Sequence, residues 1–355
     1  MEARNKVWYN NLIKKEKKIM CDIPYKVDKR LDFIYAIICS YVIKNGYKNK
    51  DEFDWVEFPN TKYFNDLVSK IRFDKFPELE KYLLDIKDEG YYNYIVYLFN
   101  DDFSIKYQDI DKVQNPFKNE SLKEYLELLR RIYLSFDMNK ILEDNKGELK
   151  LQQEGLGKLP DDYNKAYVLG FFGSLDDIDL SISCSIFMNG GFSSTIGNHV
   201  YCTRGIKYKD GEFFVNRRYN FISINHEFAH HFINPIVDKY YDKVSDYDYL
   251  FKEAKANGLP GDYSGMNKTI LYEYFVRAAS VVMSEKWISQ EEMQPDFLWF
   301  KKIGFIRTEE ITDIIRENLF NYSSFEELYI NVLIPYLNSF TKKPMKKWKI
   351  ANKKI

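Results

Sequence analysis

No run of about 18 consecutive apolar residues occurs in this 355-residue chain, so no membrane-spanning helix is expected. Cysteine is scarce, and Cys21, Cys39, Cys184 and Cys202 form no C-x-x-C pair. That spacing excludes a thiolate metal knuckle and a disulfide framework. Cys184 and Cys202 lie on neighbouring strand candidates, but free buried thiols are expected. Excess charge is absent too: the net charge is −1, with acidic and basic residues interspersed. Neither a nucleic-acid backbone nor an anionic membrane is therefore expected as the main partner. Residues 1–20 are Lys- and Asn-rich without an apolar core, so they do not read as a signal peptide. The expected compartment is the cytoplasm, or the exterior if the native N-terminus has been trimmed. Internal repeats and low-complexity linkers are also missing.

What is present is ample material for one or two cores, with 45% hydrophobic and 30% charged residues. The 29 Tyr and 27 Phe fit a composition biased toward Tyr, Phe, Ile, Lys and Asn better than aromatic recognition. After an extension (1–24), residues 25–158 read as helical. Leu31, Ile34, Tyr35, Ile38 and Val42 share one helical face, with Asp28 placed to cap and Gly46 to stop it. Further helices are expected at Tyr63–Ile71, after Pro77 through Ile86 toward Gly90, over Tyr92–Asn100, over Leu122–Tyr133, and from Met138 to near Glu154. Around Gly155–Pro160 the period changes. Tyr167–Phe172 reads as an apolar strand, and Ile178–Ile186 alternates as a half-buried one. Val200–Cys202 and Phe213–Asn216 are strand segments, with a turn at Lys209-Asp210-Gly211 between them. A small mixed or mostly antiparallel sheet would thus lead into the next helix. Helices follow at about Ile236–Lys255, Met266–Lys286, Glu309–Asn318 and Ser324–Phe340, then a basic tail (341–355).

The stretch His226-Glu227-Phe228-Ala229-His230 organises the rest. Residues four apart share a helical face, so both imidazoles point into one space. Two neutral imidazoles make half of a tetrahedral zinc site, with Zn–N bonds of about 2.0–2.1 Å. Glu227 stands where a carboxylate takes a proton from a water in the metal's fourth position. Residues 221–236 carry no charge besides Glu227, and three of the chain's four histidines fall in 226–231. The competing explanation is a buried helix whose histidines bond to backbone. His231 is turned about 100° round the helix and reads as packing. His199 reads as structural.

A catalytic zinc needs a third protein ligand. The short-spaced arrangement, with Gly and His or Asp after the motif, fails because Ile233 and Ile236 stand there. In the long-spaced arrangement a Glu comes from a later helix, and Glu273, 43 residues after His230, fits best. It is the one acid between Asp262 and Glu285, in an otherwise largely apolar helix. Leaving it there unpaired would be costly. A simple Glu273–Arg277 helical pair is the alternative, and the two are compatible. Asp238 and Asp242 are rival ligands beyond Asn234-Pro235, where the helix is expected to bend or break.

This pattern, His226-Glu227-x-x-His230 with a later Glu273, resembles the gluzincin metallopeptidases. With Asn234-Pro235, Val276-Arg277-Ala278 and the opening Tyr25-Lys26-Val27-Asp28-x-Arg30, it resembles more narrowly a bacterial family of presumed peptidases, over about residues 24–340. The resemblance implies His226, His230 and Glu273 as ligands of one Zn2+ and Glu227 as general base. Members often look exported, an export signal that this sequence does not display. The expected fold is α+β and mostly helical: a zincin-like core (159–340) wrapped by N- and C-terminal helices. The expected function is zinc-dependent hydrolysis of peptide bonds in a peptide or protein substrate. A catalytically inactive peptidase-like binding or scaffold protein, with structural or absent metal, is the alternative. Oxyanion or ligand-supporting roles fall to Arg277, Asn234 or a tyrosine, with Tyr263, Tyr272 and Tyr274 nearest in sequence. Phe187–Thr195 is the candidate edge strand for a bound peptide, because Gly190 and Gly191 would admit a close backbone. An ordinary turn is the other reading there.

Overall fold

The computed structural model describes residues 22–48, 53–86, 90–106, 113–174, 177–244, 248–263 and 266–342. Most of the expected N-terminal extension, most of the basic tail, and Cys21 lie outside the described residues. The fold is α+β and mostly helical, as expected. No helix among the described residues is long and apolar enough to cross a membrane.

The chain divides into two compact units, each assembled from separated stretches. The sheet unit comprises Ile23–Leu159 and Ile178–Asn216. The motif unit takes Pro160–Asp177 and Arg217–Ile355. This corrects the division expected from sequence, a helical 25–158 followed by a core with its own sheet. The strands belong with the first half of the chain, because their pairing and packing partners are there.

In the sheet unit, β1 (Tyr25–Val27), β2 (Asp179–Ser185), β3 (Gly191–Ile196) and β4 (His199–Gly205) form one sheet in the order β1-β2-β4-β3. β1–β2 and β2–β4 pair in parallel; only β3–β4 is antiparallel. The sheet is therefore mixed, and the mostly antiparallel expectation is corrected. Parallel partners sit far apart in sequence, and Tyr25 pairs with Ile182, which no local pattern displays. A separate hairpin joins β5 (Lys207–Lys209) to β6 (Glu212–Phe214). Its expected turn is present, with Asp210 and Gly211 both at positive φ (54° and 90°), the signature of a tight two-residue hairpin loop.

The helix Lys29–Lys44 is buried nearly all round, from Leu31 to Val42. Asp28 caps it, accepting from the Arg30 backbone N–H at 3.0 Å, as the sequence indicates. The expected helix from Met138 to Glu154 is two: Met138–Asp144 and Lys146–Gly155. Buried Asn145 divides them, donating to the Ile141 carbonyl and the Asp66 carboxylate, each at 2.8 Å.

In the motif unit, Lys165–Phe172 is a helix, not the expected strand. A short apolar run has no decisive period. The decisive signals flank it: Asn164 accepts from the Tyr167 N–H at 3.0 Å, and Gly173 closes the helix at φ 65°. The motif helix runs from Arg217 to Lys239 with Pro235 inside, so of the expected bend or break at Asn234-Pro235 the break does not occur. The expected helix 236–255 becomes the end of this one and a separate helix Tyr249–Ala256. Helix Asn267–Ser284 packs along the motif helix, and Thr308–Asn318 packs on Asn267–Ser284. Gln294–Lys302 is a further helix that the sequence pattern did not reveal. The expected Ser324–Phe340 helix is segmented, widening to π geometry over Tyr329–Leu333 ahead of Pro335.

Candidate metal centre

The motif helix buries Ile224, Phe228, Ala229 and Ile233 completely and leaves His226 and His230 half-buried. Phe232 stacks on Phe172, ring centroids 4.3 Å apart. Asn225 fixes the helix in position. It is fully buried, accepts from the Tyr163 hydroxyl at 2.7 Å and donates to Ser284 Oγ at 2.9 Å. Those partners lie about 60 positions away on either side, so Asn225 reads in sequence only as an uncharged residue beside the motif.

His226 Nε2 and His230 Nε2 are 3.1 Å apart. Glu273, from helix Asn267–Ser284, brings Oε2 to 3.7 Å from His226 Nε2 and Oε1 to 3.6 Å from His230 Nε2. One ligand atom from each of the three residues falls within 4.8 Å of the others. Tetrahedral bonds of the length zinc makes place neighbouring donors about 3.3 Å apart. The triad fits one small cation. Two nitrogen lone pairs facing one another at 3.1 Å repel unless a proton or a cation lies between them.

Asn234 Oδ1 lies 3.2 Å from His230 Nδ1. An amide oxygen only accepts, so this contact needs the proton on Nδ1 and leaves the Nε2 lone pair directed at the cluster. Arg277, one turn beyond Glu273, donates from Nη2 to Glu273 Oε2 at 2.6 Å. The same guanidinium sits 4.5 Å from the Phe305 ring centroid, 5.3 Å from Phe300 and 5.6 Å from Trp299. Its Nε is buried without a hydrogen-bond partner. Both sequence readings of Glu273, metal ligand and Arg277 partner, are thus geometrically compatible. Glu227 is buried on the motif helix between the two histidines in sequence.

The rival ligands are elsewhere. Asp238 is paired to Lys268 at 2.7 Å and accepts the Tyr272 hydroxyl. Burial acts to raise its pKa, but the bonds from Lys268 and Tyr272 hold it below the ordinary carboxylate value. Asp242 lies 3.7 Å from Lys243. Neither belongs to the cluster. Tyr272 and Tyr274 flank Glu273 and so point about 100° to either side of it. Burial and the Asp238 carboxylate raise the Tyr272 phenol. Tyr274 is fully buried, its hydroxyl 3.3 Å from the Gly304 carbonyl. The two hydroxyls are thus engaged by Asp238 and by the Gly304 carbonyl. Tyr263 packs on Phe305. His231 packs edge-on against Phe232, and His199 stacks on Tyr201 with Nε2 3.0 Å from Ser181 Oγ.

Gly190 and Gly191 lie in the sheet unit, where β3 is one of the two edge strands of its sheet. Gly190 has φ +102°, and a Cβ on Gly191 would meet the Arg204 guanidinium at 1.8 Å. The need for glycine at both positions is met within that unit. Cys39, Cys184 and Cys202 are buried and in no disulfide, and burial raises the Cys39 and Cys184 thiols.

Comparisons with family models, with curated proteins and with solved structures return no match to this chain. The likeness to gluzincins therefore rests on the motif residues themselves.

Proposed function

We propose that this protein is a zinc-dependent metallopeptidase of the gluzincin type. The observation that carries the reading is the convergence of His226, His230 and Glu273, drawn from two helices, to hydrogen-bond and near-bond distances. Two imidazoles and one carboxylate suit zinc and leave a position for water. Bound there, the ion would polarise the scissile carbonyl and make a water nucleophilic near neutral pH. Glu227 takes the proton of that attacking water and returns it to the leaving amine. Asn234 keeps the His230 ring in the tautomer with a free Nε2, and Arg277 orients Glu273 through its Oε2. The buried residues beneath the motif keep bulk water from the reacting groups. A zincin-like core, and kinship with the bacterial family resembled, belong to the same proposal.

The 2.6 Å Arg277–Glu273 pair also favours a second reading, a peptidase-like binding or scaffold protein, because it balances the carboxylate's charge without an ion. Metal analysis beside peptide hydrolysis separates the two. The peptidase holds one zinc per chain, keeps it in Glu227→Gln, and there loses about 10²–10⁴-fold in rate. His230→Ala loses the metal itself. A chain without stoichiometric zinc, or undiminished hydrolysis by Glu227→Gln, ends the peptidase reading.

A further inference from the structure

Two helices carry the cluster's ligands: Arg217–Lys239 has both imidazoles, and Asn267–Ser284 has Glu273. They run past one another in opposite directions, since Asn225 meets Ser284, the imidazoles meet Glu273, and Asp238 meets Lys268. Their buried residues are largely apolar, and apolar burial is non-directional. A metal site needs sharper placement. One residue of slip along a helix is about 1.5 Å, several times the roughly 0.2 Å tolerance of a metal–ligand bond.

Asn225 supplies the direction that apolar packing lacks. It is fully buried, one position before the ligand His226, where an amide is costly unless it is bonded. Its bonds form one chain across three segments of the motif unit. The Tyr163 hydroxyl donates to Asn225 Oδ1 at 2.7 Å, Asn225 Nδ2 donates to Ser284 Oγ at 2.9 Å, and Ser284 Oγ donates to the Ser280 carbonyl at 2.7 Å. Tyr163 is itself held by ring contacts, its centroid 4.8 Å from Phe221 and 5.6 Å from Trp287. The chain is complete at one placement of the helices, and a slip of one residue breaks the Asn225–Ser284 bond. At the far end, the Asp238–Lys268 pair is about half exposed and holds little.

We propose that Asn225, Tyr163 and Ser284 are positioning residues of the metal centre, setting one ligand-bearing helix against the other at a cost in stability. The proposal rests on the metal-binding part of the metallopeptidase reading. Coiled coils use a buried Asn in this way, fixing register while giving up stability. An apolar residue at position 225 would need no partner, so stability and metal affinity are expected to separate here.

The test replaces the polar chain by apolar groups of similar size, with Tyr163→Phe, Asn225→Leu and Ser284→Ala combined in the full chain. Urea denaturation of the metal-free form is expected to show stability equal to or above that of the unaltered protein. Zinc affinity in a chelator competition is expected to fall about tenfold or more. The visible absorption of the Co2+ form should change with it, because the donors no longer hold one geometry. Ser284→Ala alone gives part of the loss and Ser284→Thr, which keeps the hydroxyl, restores the affinity. That pair carries the test if the triple variant does not fold. Unchanged zinc affinity and an unchanged Co2+ spectrum in the triple variant, or in Ser284→Ala where the triple variant does not fold, overturn the positioning role. So does a fall in metal-free stability alongside the fall in affinity, which marks an ordinary structural contact. Both results leave the metallopeptidase reading standing. An unaltered chain that binds no zinc overturns that reading, and the positioning role with it.

Discussion

Two of the motif unit's arginine–carboxylate pairs, Arg307–Glu253 and Arg277–Glu273, are built differently. Arg307 and Glu253 are sealed, with side-chain exposures of 2% and 0%. Arg307 engages both carboxylate oxygens, reaches Glu310 at 3.3 Å and the Tyr249 hydroxyl at 3.4 Å, and lies 4.0 Å from the Phe340 ring centroid. Burial works against this cation, yet the Glu253 bonds and charge raise its pKa. Arg277 and Glu273 share a single short bond, the arginine Nε is unpaired, and the second carboxylate oxygen faces an imidazole. The saturated pair is what a fold uses to hold three segments together. The incomplete pair keeps bonding capacity directed at a space that two histidines also face. A buried charge pair is weak evidence of function by itself; its unused valences are better evidence.

The comparison breaks most visibly at Arg307. Arg307→Met leaves Glu253 charged and enclosed, and is expected to lower stability by about 3–5 kcal/mol in urea denaturation. Zinc affinity, measured on the folded fraction, should stay unchanged. Arg277→Met should reverse the emphasis, weakening zinc binding about 10–100-fold in a chelator competition. Its stability loss should be smaller than that of Arg307→Met, because the site lies nearer solvent. Equal losses of stability with intact metal affinity would make the two pairs alike, and both structural.

A third carboxylate sharpens the contrast by having no cation among its bonding partners. Asp32, in the sheet unit, is fully buried and accepts from Ser185 Oγ at 2.6 Å and the Tyr63 hydroxyl at 3.1 Å. Burial pushes its pKa up to about 7, against the effect of those two bonds. The folded chain then binds a proton that the unfolded chain has released between pH 3.8 and about 7. The stability this contributes is present at low pH and lost as pH rises through that window, at most about 1.4 kcal/mol per unit. Asp32→Asn, which stays neutral, should remove this component from the stability–pH profile. An unaltered slope in the variant would mean that Asp32 is ionised throughout.

Much of the site is legible in the sequence because its logic is local. The His226–His230 spacing, the uncharged flanks and the lone acid Glu273 each follow from one helical period. The Asp28 cap and the Asp210-Gly211 turn are similarly short-range. Tyr167–Phe172 was ambiguous since six apolar residues fit either period, and its caps carried the information instead. Pro235 does not end the helix, because an interior proline forfeits one hydrogen bond, which a well-packed helix withstands. The hydroxyl partners of Tyr272 and Tyr274 are not legible in the sequence, because Asp238 and Gly304 lie about 30 residues away from them.

By itself the sequence determined a helix presenting two imidazoles to one side, an acid between them, and a mostly helical α+β chain. Spacing along a helix is a property of consecutive residues, and needs nothing else. Tertiary structure alone decided that Glu273, rather than Asp238, meets those rings, that Asn225 and Asn234 steady them, and that Trp299 stands behind Arg277. Each of those contacts joins side chains whose approach depends on how whole helices pack. That packing is set by the summed burial of many apolar residues, so no short stretch of the chain contains it.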